Sequence, residues 1–410
     1  MPIGKTLCLS HASPDAPNDI TNGYVREFIK NGAAFLDCNE IYLKRGYSGS
    51  QKFIKDFISE NGIEILIFAP DPTSFDFPLE FLKELRPAVF TVLMAGDTVY
   101  YFEPRDKYYA GAMDLLVVYD SFAEVEAFRE LGGDALMFLS SFDQTRYFRS
   151  ASREKTIDVS FVGLITGRKD RAEYLDYLAK NGVNVRVLGC GATGGRVSQE
   201  QMVEIFNRSR INLNFTAASS IIHLAGSIPA SAARKQLKGR IAEVTLCGSF
   251  LLTEYVPGIE KVLLPGEETD IFSTKEELLE KIKFYLSNER AREAIAEGGY
   301  RRALKDYADN VAIPRLLAEI EARRQKKRSG WPGIPADAAF NKNLASYRLL
   351  YMIKFIKRFN FGFALEEFLV ILKLRTIDLS QLYTFFIQEV VDKFPRAKAF
   401  MKNLIFKRND

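Results

Sequence analysis

The chain has 410 residues, 47% of them hydrophobic and 26% charged, and a formal net charge of +4. This length exceeds one ordinary hydrophobic core and predicts two domains with an appendage. The composition is typical of a globular protein, and no apolar run is long enough to span a bilayer. The four cysteines lack metal-ligand spacing, and the N-terminus lacks the apolar core of a signal peptide. We therefore expect a cytoplasmic protein with reduced thiols.

Basic residues are concentrated at the end of the chain. Residues 323–410 hold 18 Lys and Arg against 7 Asp and Glu, a charge of +11, whereas the preceding residues hold 38 against 45. The sequence therefore predicts a basic extension on a mildly acidic body, and the sign of its charge bears on which partners it can contact.

The first 148 residues alternate between strand and helix patterns. Helices are predicted in TNGYVREFIKNGAAF, where Gly32 ends the helix, in QKFIKDFISENG, where Gly62 ends it, and in FAEVEAFRELGG. The strands, such as IEILIFAP and PAVFTVLMAGD, are almost continuously apolar, which is typical of parallel strands buried on both faces. This pattern predicts an open α/β domain of the Rossmann type over residues 1–148.

The polar stretch RSASREKT, residues 149–156, interrupts the alternation and predicts a linker. Strand and helix patterns then resume, beginning with DVSFVGLI and RAEYLDYLAKNG, and predict a second Rossmann-like domain over residues 156–322. A long helical region runs from about Lys275 to Arg328. We expect it to be broken near Gly298 and Gly299.

Residues 331–410 follow a Pro-containing loop and are predicted to be helical, basic and aromatic. One interpretation is a helical hairpin that packs on the body or on a second subunit. The other is a surface that binds an anionic membrane. The residues of that surface would be Lys354, Lys357, Arg358, Phe355 and Phe359. The sequence leaves both interpretations open.

Gly189, Gly191 and Gly194 have the spacing G-x-G-x-x-G directly after a predicted strand, the pattern of a dinucleotide-binding turn. Two observations argue against a dinucleotide enzyme. The next helix is predicted to begin only at Ser198, which can form a capping box with Gln201, and the next strand ends without the acid that would hold a ribose. We interpret the motif as a turn at the carboxyl end of a strand, where open α/β sheets bind ligands.

Residues 158–307 contain a longer series of characteristic phrases. These include SRINLNFT, KGRIAEVTLCGSFLLTEY and EAIAEGGYRRAL, in that order. The series resembles the nucleotide-sugar half of GT-B glycosyltransferases, with a family 1/4-like C-terminal domain, and looks closest to the bacterial group related to spore maturation proteins. The resemblance implies two Rossmann-like domains that face each other across a cleft, with the donor mostly on the second domain and the acceptor mostly on the first.

The resemblance also implies roles for individual positions. It implies that Glu243 contacts the ribose of the donor. Related retaining transferases have another Glu eight positions earlier, where this chain has Lys235, so a second acid is not assumed. They also use a His after the fourth strand of the first domain, and Asp97 stands at the corresponding place in MAGDTVYYF.

A glycosyltransferase must stabilise the negative charge that develops on the leaving nucleoside diphosphate. Without a metal, this requires cations and the amides of strand-to-helix turns. The candidate donor-binding residues share such turns in the second domain. They are Gly163, Arg168, Lys169, Arg171, Gly189, Gly191, Lys238 and Arg240. Alternatively, each cluster of cations could lie at the solvent-exposed start of a helix and bind no ligand.

The candidate catalytic residues lie in loops that are predicted to line the cleft. His11 and Asp15 follow the first strand, and Asp97 follows the fourth. His223, in a loop rich in Ser, Ala and Gly, is a further donor-binding candidate, although either histidine could be structural. Asp97 and Asp15 are suited to accept a proton from the acceptor if the reaction inverts, whereas a retaining reaction needs no dedicated base.

No Asp-x-Asp pair ends a strand, and no His or Cys cluster has ligand spacing, so we expect a metal-independent reaction without a cofactor. The sequence favours a cytoplasmic bacterial glycosyltransferase that acts on a nucleoside-diphosphate sugar and a hydroxyl of a surface-glycan precursor. A nucleic-acid partner is not expected, and residues 331–410 could contact the plasma membrane or form a homodimer. The alternatives are an epimerase or hydrolase on the same fold, or an inactive sugar-nucleotide-binding assembly protein.

Overall fold

A computed structural model describes residues 4–12, 14, 20–152, 154–192, 194–218, 224–227, 234–327 and 331–376. Within these ranges the chain forms two parallel sheets flanked by helices, followed by a helical hairpin. The α/β fold class with two Rossmann-like sheets and a helical C-terminal part is thereby confirmed.

The first sheet, in the described residues, has six parallel strands in the order β2-β1-β3-β4-β5-β6. They are β1 Thr6–Ser10, β2 Ala34–Asp37, β3 Ile65–Ala69, β4 Phe90–Ala95, β5 Leu115–Val118 and β6 Ala135–Met137. Strands β1, β3, β4 and β5 are buried throughout, as their continuous apolar sequences predict. The first helix ends before Gly32, whose φ is 88°, as predicted, and Ala34 then begins β2, which pairs with β1.

Helices flank this sheet and connect its strands. They are α1 Ile20–Lys30, α2 Cys38–Asn61, α3 Leu79–Leu85, α4 Thr98–Tyr101, α5 Lys107–Gly111 and α6 Phe122–Glu130, with a π-helical turn at Phe102–Asp106. Helix α2 is kinked at Gly46, whose φ is 70°. A Cβ at this position would lie 2.5 Å from the ring of Phe363, so the glycine gives the C-terminal hairpin room to pack.

The second sheet is also parallel, with the strand order β11-β10-β9-β7-β8. The strands are β7 Ile157–Val162, β8 Val185–Leu188, β9 Ser209–Asn214, β10 Leu251–Glu254 and β11 Asp270–Phe272. The helices are α7 Lys169–Lys180, α8 Gln199–Arg208, α9 Arg240–Leu246, α10 Ile259–Val262, α11 Lys275–Ser287, α12 Glu289–Asp306 and α13 Asp309–Gln325. Helix α8 begins after Ser198 with the predicted capping box to Gln201.

The long helical region is broken at positions other than those predicted. Gly298 and Gly299 lie inside α12, and the breaks fall at Asn288 before it and at Ala308 after it. A Cβ at Gly298 would lie 2.1 Å from the carbonyl oxygen of Glu267 in a neighbouring loop. The prediction was wrong because these glycines allow close packing of α12 and do not interrupt it.

Helix α13 lies at the end of the range predicted for the second domain, but it packs against the first sheet. Its buried residues Ile313, Leu316 and Ile320 belong to the same core as α1 and one face of that sheet. The chain therefore crosses back to the first domain before the hairpin begins. The exact domain boundaries stay predictions.

The hairpin consists of α14 Ala338–Lys357 and α15 Phe361–Leu374. Helix α14 buries Phe340, Tyr347 and Phe355 in the core of the first domain, so the hairpin packs on the body. The membrane interpretation, one of the two left open, required Phe355 at the surface; this part of it is wrong, because Phe355 is buried and its ring stacks against Tyr42 of α2. Phe359 is 83% exposed. Residues 377–410 of the predicted extension lie outside the described residues.

Candidate active site

The carboxyl ends of the strands in the two sheets face each other across a cleft. The side-chain nitrogen of Gln236 donates to Oδ1 of Asp97 over 2.8 Å. The backbone N–H of Leu237 donates to the carbonyl oxygen of Asp120, also over 2.8 Å. Because Asp97 and Asp120 follow strands of the first sheet, these bonds place the segment before α9 opposite them. Open α/β sheets bind ligands at this kind of edge.

Asp97 lies in this cleft at the carboxyl end of β4. Its backbone is in the left-handed region, with φ 51° and ψ 32°, a conformation that few residue types other than glycine adopt. The residue is exposed, and its carboxylate accepts the hydrogen bond from Gln236. The turn from β4 into α4 therefore presents an acid on the first-domain side of the cleft.

Asp120 lies at the end of the neighbouring strand β5 and was not singled out from the sequence. Its carboxylate accepts hydrogen bonds from the backbone N–H (3.0 Å) and the hydroxyl (2.6 Å) of Thr98. Burial and the nearby Asp97 raise the pKa of Asp120 to about 7, against the lowering effect of Thr98. The sequence feature that could have identified Asp120 is its position at the end of the apolar run DLLVVYD.

Lys238 lies on the second-domain side, just before α9. Burial lowers the pKa of its ammonium group to about 8, and the charges of Arg171 and Arg168 act in the same direction, whereas Asp97 and Asp120 oppose it. Within the part of the chain that the structure describes, no hydrogen bond or ion pair holds this ammonium group. A partly buried cation of this kind is suited to bind an anion in the cleft.

Arg168 and Lys169 lie at the turn from β7 into α7. Arg168 forms an ion pair with Asp170 over 2.9 Å and donates to the carbonyl oxygen of Ala217 over 2.6 Å. Lys169 is exposed at the first residue of α7. The ion pair and the carbonyl fix the guanidinium of Arg168 at this edge of the second sheet.

Arg171 extends from the same turn. It donates to the carbonyl oxygen of Leu164 over 2.7 Å, and its buried Nε has no hydrogen-bond partner among the described residues. Burial lowers the pKa of Arg171 to about 10, and the charges of Arg168 and Arg240 contribute to this. The second-domain edge therefore concentrates positive charge that an anion would stabilise.

Arg240 and Glu243 bind each other and neighbouring elements of the second domain. Arg240 donates to the carbonyl oxygen of Val162 over 2.8 Å and pairs with Oε2 of Glu243 over 2.6 Å. The hydroxyl of Tyr147 donates to Oε1 of Glu243 over 3.2 Å. Both oxygens of the Glu243 carboxylate thus have partners within the protein. The ribose contact stays a prediction.

Gly163, Gly189 and Gly191 allow two turns to pack against each other. Gly189 and Gly191 have φ values of 122° and 80°. A Cβ at Gly189 would lie 2.1 Å from the carbonyl oxygen of Gly163, and one at Gly191 would lie 1.9 Å from Oγ1 of Thr166. The close approach is thus between the turns after β7 and β8. Contact between these glycines and a nucleotide sugar stays a prediction.

His11 follows β1, but its imidazole is bound within the first domain. Its Nε2 lies 3.1 Å from Oδ2 of Asp76, and the backbone N–H of Asp71 donates to its Nδ1 over 3.2 Å. The hydroxyl of Tyr347 in α14 donates to Oδ1 of Asp76 over 2.8 Å. Burial and the N–H of Asp71 at Nδ1 favour the neutral imidazole, whereas Asp76 raises the pKa of His11. The structure thus joins His11 to the hairpin.

Lys235, whose contact the sequence left in doubt, pairs with Glu254 at the end of β10 over 3.0 Å. The buried Glu254 also accepts hydrogen bonds from the backbone N–H and the hydroxyl of Thr216. Glu254 was missed, although it too is a polar residue at the carboxyl end of an apolar parallel strand.

Two candidate residues, Asp15 and His223, lie outside the described residues. In the ranges that are described, no group of three or more His, Cys, Asp or Glu side chains could hold a metal ion. No helix in those ranges has the length and apolar character needed to cross a membrane. A cavity of about 590 Å³ lies beside the linker, lined by residues such as Phe148 and Asn207, and is separate from the cleft.

Comparison with known proteins agrees with this geometry. Residues 168–316 match a protein-family model described as glycosyl transferase-like. No curated protein sequence matches the chain. The matched range begins at Arg168 and includes Lys238 and Glu243, so it covers most of the second-domain edge.

Solved structures match over most of the chain. A glycosyltransferase from Rickettsia africae is 12% identical, with a TM-score of 0.54 over 79% of this chain and 100% of that chain. Anabaena HepE in complex with UDP and glucose is 14% identical, with a TM-score of 0.52 over 77% and 98%. Sucrose-phosphate synthase from Thermosynechococcus elongatus is 11% identical, with a TM-score of 0.52 over 78% and 99%.

The two facing parallel-sheet domains and these similarities define a GT-B glycosyltransferase fold, which confirms the resemblance seen in the sequence. At such low identities the structural matches establish the fold alone. The family match adds that residues 168–316, most of the second domain, are similar to the glycosyl transferase-like family model. The narrower group related to spore maturation proteins stays a prediction.

Proposed function

We propose that the protein is a glycosyltransferase that moves a sugar from a nucleoside-diphosphate sugar to a hydroxyl acceptor. The observation that carries this proposal is Lys238, a partly buried cation in the cleft that has no partner among the described residues and is electrostatically coupled to Asp97. The glycosyl transferase-like family match supports the reaction class. HepE, which shares the fold, was solved with UDP and glucose, the type of ligand proposed here.

The donor binds at the second-domain edge in this proposal. Lys238, Arg171 and Arg168 neutralise the diphosphate, which gains negative charge as the bond to the sugar breaks. Lys169 adds charge at the start of α7. The remaining members of the proposed donor site are Gly163, Gly189, Gly191, His223, Arg240 and Glu243.

The acceptor hydroxyl binds at the first-domain edge. Asp97 is exposed at the left-handed turn after β4. It accepts the hydroxyl proton if the reaction inverts, and it positions the acceptor by hydrogen bonding if the reaction retains. His11 and Asp15 are the other proposed residues of the acceptor side.

The transferred group that we propose is a hexosyl or related sugar, and the acceptor that we propose is a hydroxyl of a bacterial surface-glycan precursor carried on a lipid. This assignment follows from the basic extension and from the predicted group related to spore maturation proteins. The reaction is proposed to need no metal. A lipid-linked acceptor requires the protein to work peripherally at the inner face of the plasma membrane.

The test is a thermal-shift panel of UDP-, GDP-, CMP- and TDP-sugars, followed by analysis of products with and without glycan acceptors. Stabilisation by one nucleotide, and transfer that depends on an acceptor, are the expected results. Fast release of free sugar or an isomer without an acceptor would identify a hydrolase or epimerase. Binding without any product would identify an assembly protein, and failure of every nucleotide to stabilise the protein would refute the proposal.

A further inference from the structure

Helix α15 has an apolar face that points away from the protein. The five residues of this face are Phe361, Leu365, Phe368, Leu369 and Leu372, which are between 44% and 64% exposed. Their spacing of four, three, one and three residues places them along one stripe of the helix. Within the described residues, this stripe and the adjoining Ile356 and Phe359 contain seven of the twelve exposed large hydrophobic side chains. We call the five residues the α15 face.

A buried polar network prevents α15 from turning this face inward. The opposite side of the helix carries Glu367, which is fully buried and lies 3.5 Å from the equally buried Arg348 of α14. The hydroxyl of Tyr42 also donates to Glu367. Rotating α15 to bury its leucines would expose this network and leave Arg348 without its carboxylate. The fold therefore holds the apolar side outward.

Exposed basic residues lie near both ends of α15 in the chain. They are Lys357 and Arg358 before the helix and Lys373 and Arg375 at its C-terminal end, and we call these four residues the basic border of the face. Of the two acidic residues of α15, Glu367 is buried, and Glu366 accepts a hydrogen bond from the backbone N–H of Ser48. The border of the face is thus strongly positive. A second copy of the chain packed on this face by two-fold symmetry would bring the two sets of cations together, which is unfavourable.

An apolar helical stripe with a basic border is the arrangement that binds the interface of an anionic bilayer. We propose that the α15 face docks on an anionic membrane, with its aromatic and leucine side chains inserted between headgroups and its cations paired with lipid phosphates. The inference does not depend on the proposed transfer reaction. It replaces the surface expected from the sequence, because Phe355 points into the core.

This docking would orient the cleft relative to the membrane. Helix α14 packs beside the first-domain side of the cleft, because Tyr347 binds Asp76 next to His11. Its Asn343 also bonds to both the backbone N–H and the carbonyl of Ala225, in the segment between β9 and α9. A hairpin seated on the bilayer therefore fixes the acceptor side of the cleft at a set distance from the surface, which suits an acceptor anchored in lipid.

The test uses the full chain, because α14 belongs to the core of the first domain and its deletion would expose that core. Sedimentation is measured with vesicles of pure phosphatidylcholine and with an equal mixture of phosphatidylcholine and phosphatidylglycerol. The wild type is expected to bind only the anionic vesicles. The pair Leu365→Gln and Leu369→Gln, and separately the pair Arg358→Glu and Lys373→Glu, should each weaken binding by at least ~10-fold.

The matched control is the pair Leu131→Gln and Phe284→Gln, two residues that are about equally exposed elsewhere on the protein, at 51% and 50%. This pair should bind vesicles like the wild type. Light scattering is run in parallel to measure mass. No binding by the wild type, equal binding by all variants, or a wild-type dimer that the leucine variant dissociates would each overturn the proposal. None of these outcomes affects the nucleotide-binding test of the transfer reaction.

Discussion

The two edges that face each other across the cleft are formed by the same kind of backbone but differ in their charged side chains. Both are the carboxyl ends of parallel strands. The first-domain edge presents Asp97 and, next to it, Asp120, whereas the second-domain edge presents Arg168, Arg171 and Lys238. The fold therefore determines where a ligand can bind, and the side chains determine which ligand group each edge can hold.

The pKa values express the same difference. Burial and a neighbouring acid raise the pKa of Asp120 to about 7. Burial and neighbouring cations lower the pKa of Lys238 to about 8. Each edge thus holds like charges close together, which costs free energy. A ligand group of opposite charge, or one that donates a hydrogen bond to the acids, would lower that cost. A phosphate group fits the second edge, and a hydroxyl that donates a hydrogen bond fits the first.

The largest effect is expected from Asp97→Asn on the acidic edge. The amide oxygen can still accept the bond from Gln236, but it cannot accept a proton. We expect transfer to fall by ~100-fold or more, with donor affinity changed by less than ~3-fold, as measured by product formation and calorimetry. Unimpaired transfer in this variant would show that the first edge supplies no base and would favour a retaining reaction.

The second prediction concerns the basic edge. Lys238→Met removes the ammonium group and should weaken binding of UDP, or of the nucleotide that the panel identifies, by ~10- to 100-fold in calorimetry. Lys238→Arg keeps the charge and should bind within a few-fold of the wild type. The control is Lys180→Met, which removes an exposed lysine at the C-terminal end of α7, the end opposite to Arg168 and Lys169. Equal affinities for Lys238→Met and Lys180→Met would contradict the assigned role of this edge.

The same lysine predicts a pH dependence of binding. Because the free protein holds Lys238 with a pKa of about 8 and the nucleotide needs the charged ammonium, affinity should fall as the pH rises above 8. The fall should approach about tenfold per pH unit. Lys238→Arg stays charged over this range, so its affinity should be nearly constant. Identical pH profiles for the two proteins would assign the titration to another group.

Local sequence patterns predicted much of this architecture. The apolar runs identified the buried parallel strands, and Ser198 with Gln201 identified the start of α8. The positively charged turn at Arg168 was found in the same way. These features depend on residues close together in the chain, so that periodicity, capping and strand ends contain the necessary information.

The features that sequence analysis missed depend on contacts between distant residues. Asp120 and Glu254 each end an apolar strand, as many acidic residues do, so the sequence does not distinguish them. Their environment depends on contacts with Thr98 and Lys235, which lie far away in the chain. The sequence left open whether Phe355 is buried or lies at the surface. Only the position of α2 decides which side of its helix is buried.

The smallest effect on ligand binding is expected for Glu243→Gln, the acid that the second edge holds next to its cations. Both carboxylate oxygens are already bound, by Arg240 and by Tyr147. Loss of the charge should therefore lower the free energy of unfolding by ~1–3 kcal/mol, measured by denaturant titration. Because Gln keeps one oxygen that can accept a hydrogen bond from the ribose, nucleotide binding should weaken by only ~3- to 10-fold in calorimetry. Unchanged affinity together with lowered stability would contradict the ribose contact and leave Glu243 with its structural role beside Arg240.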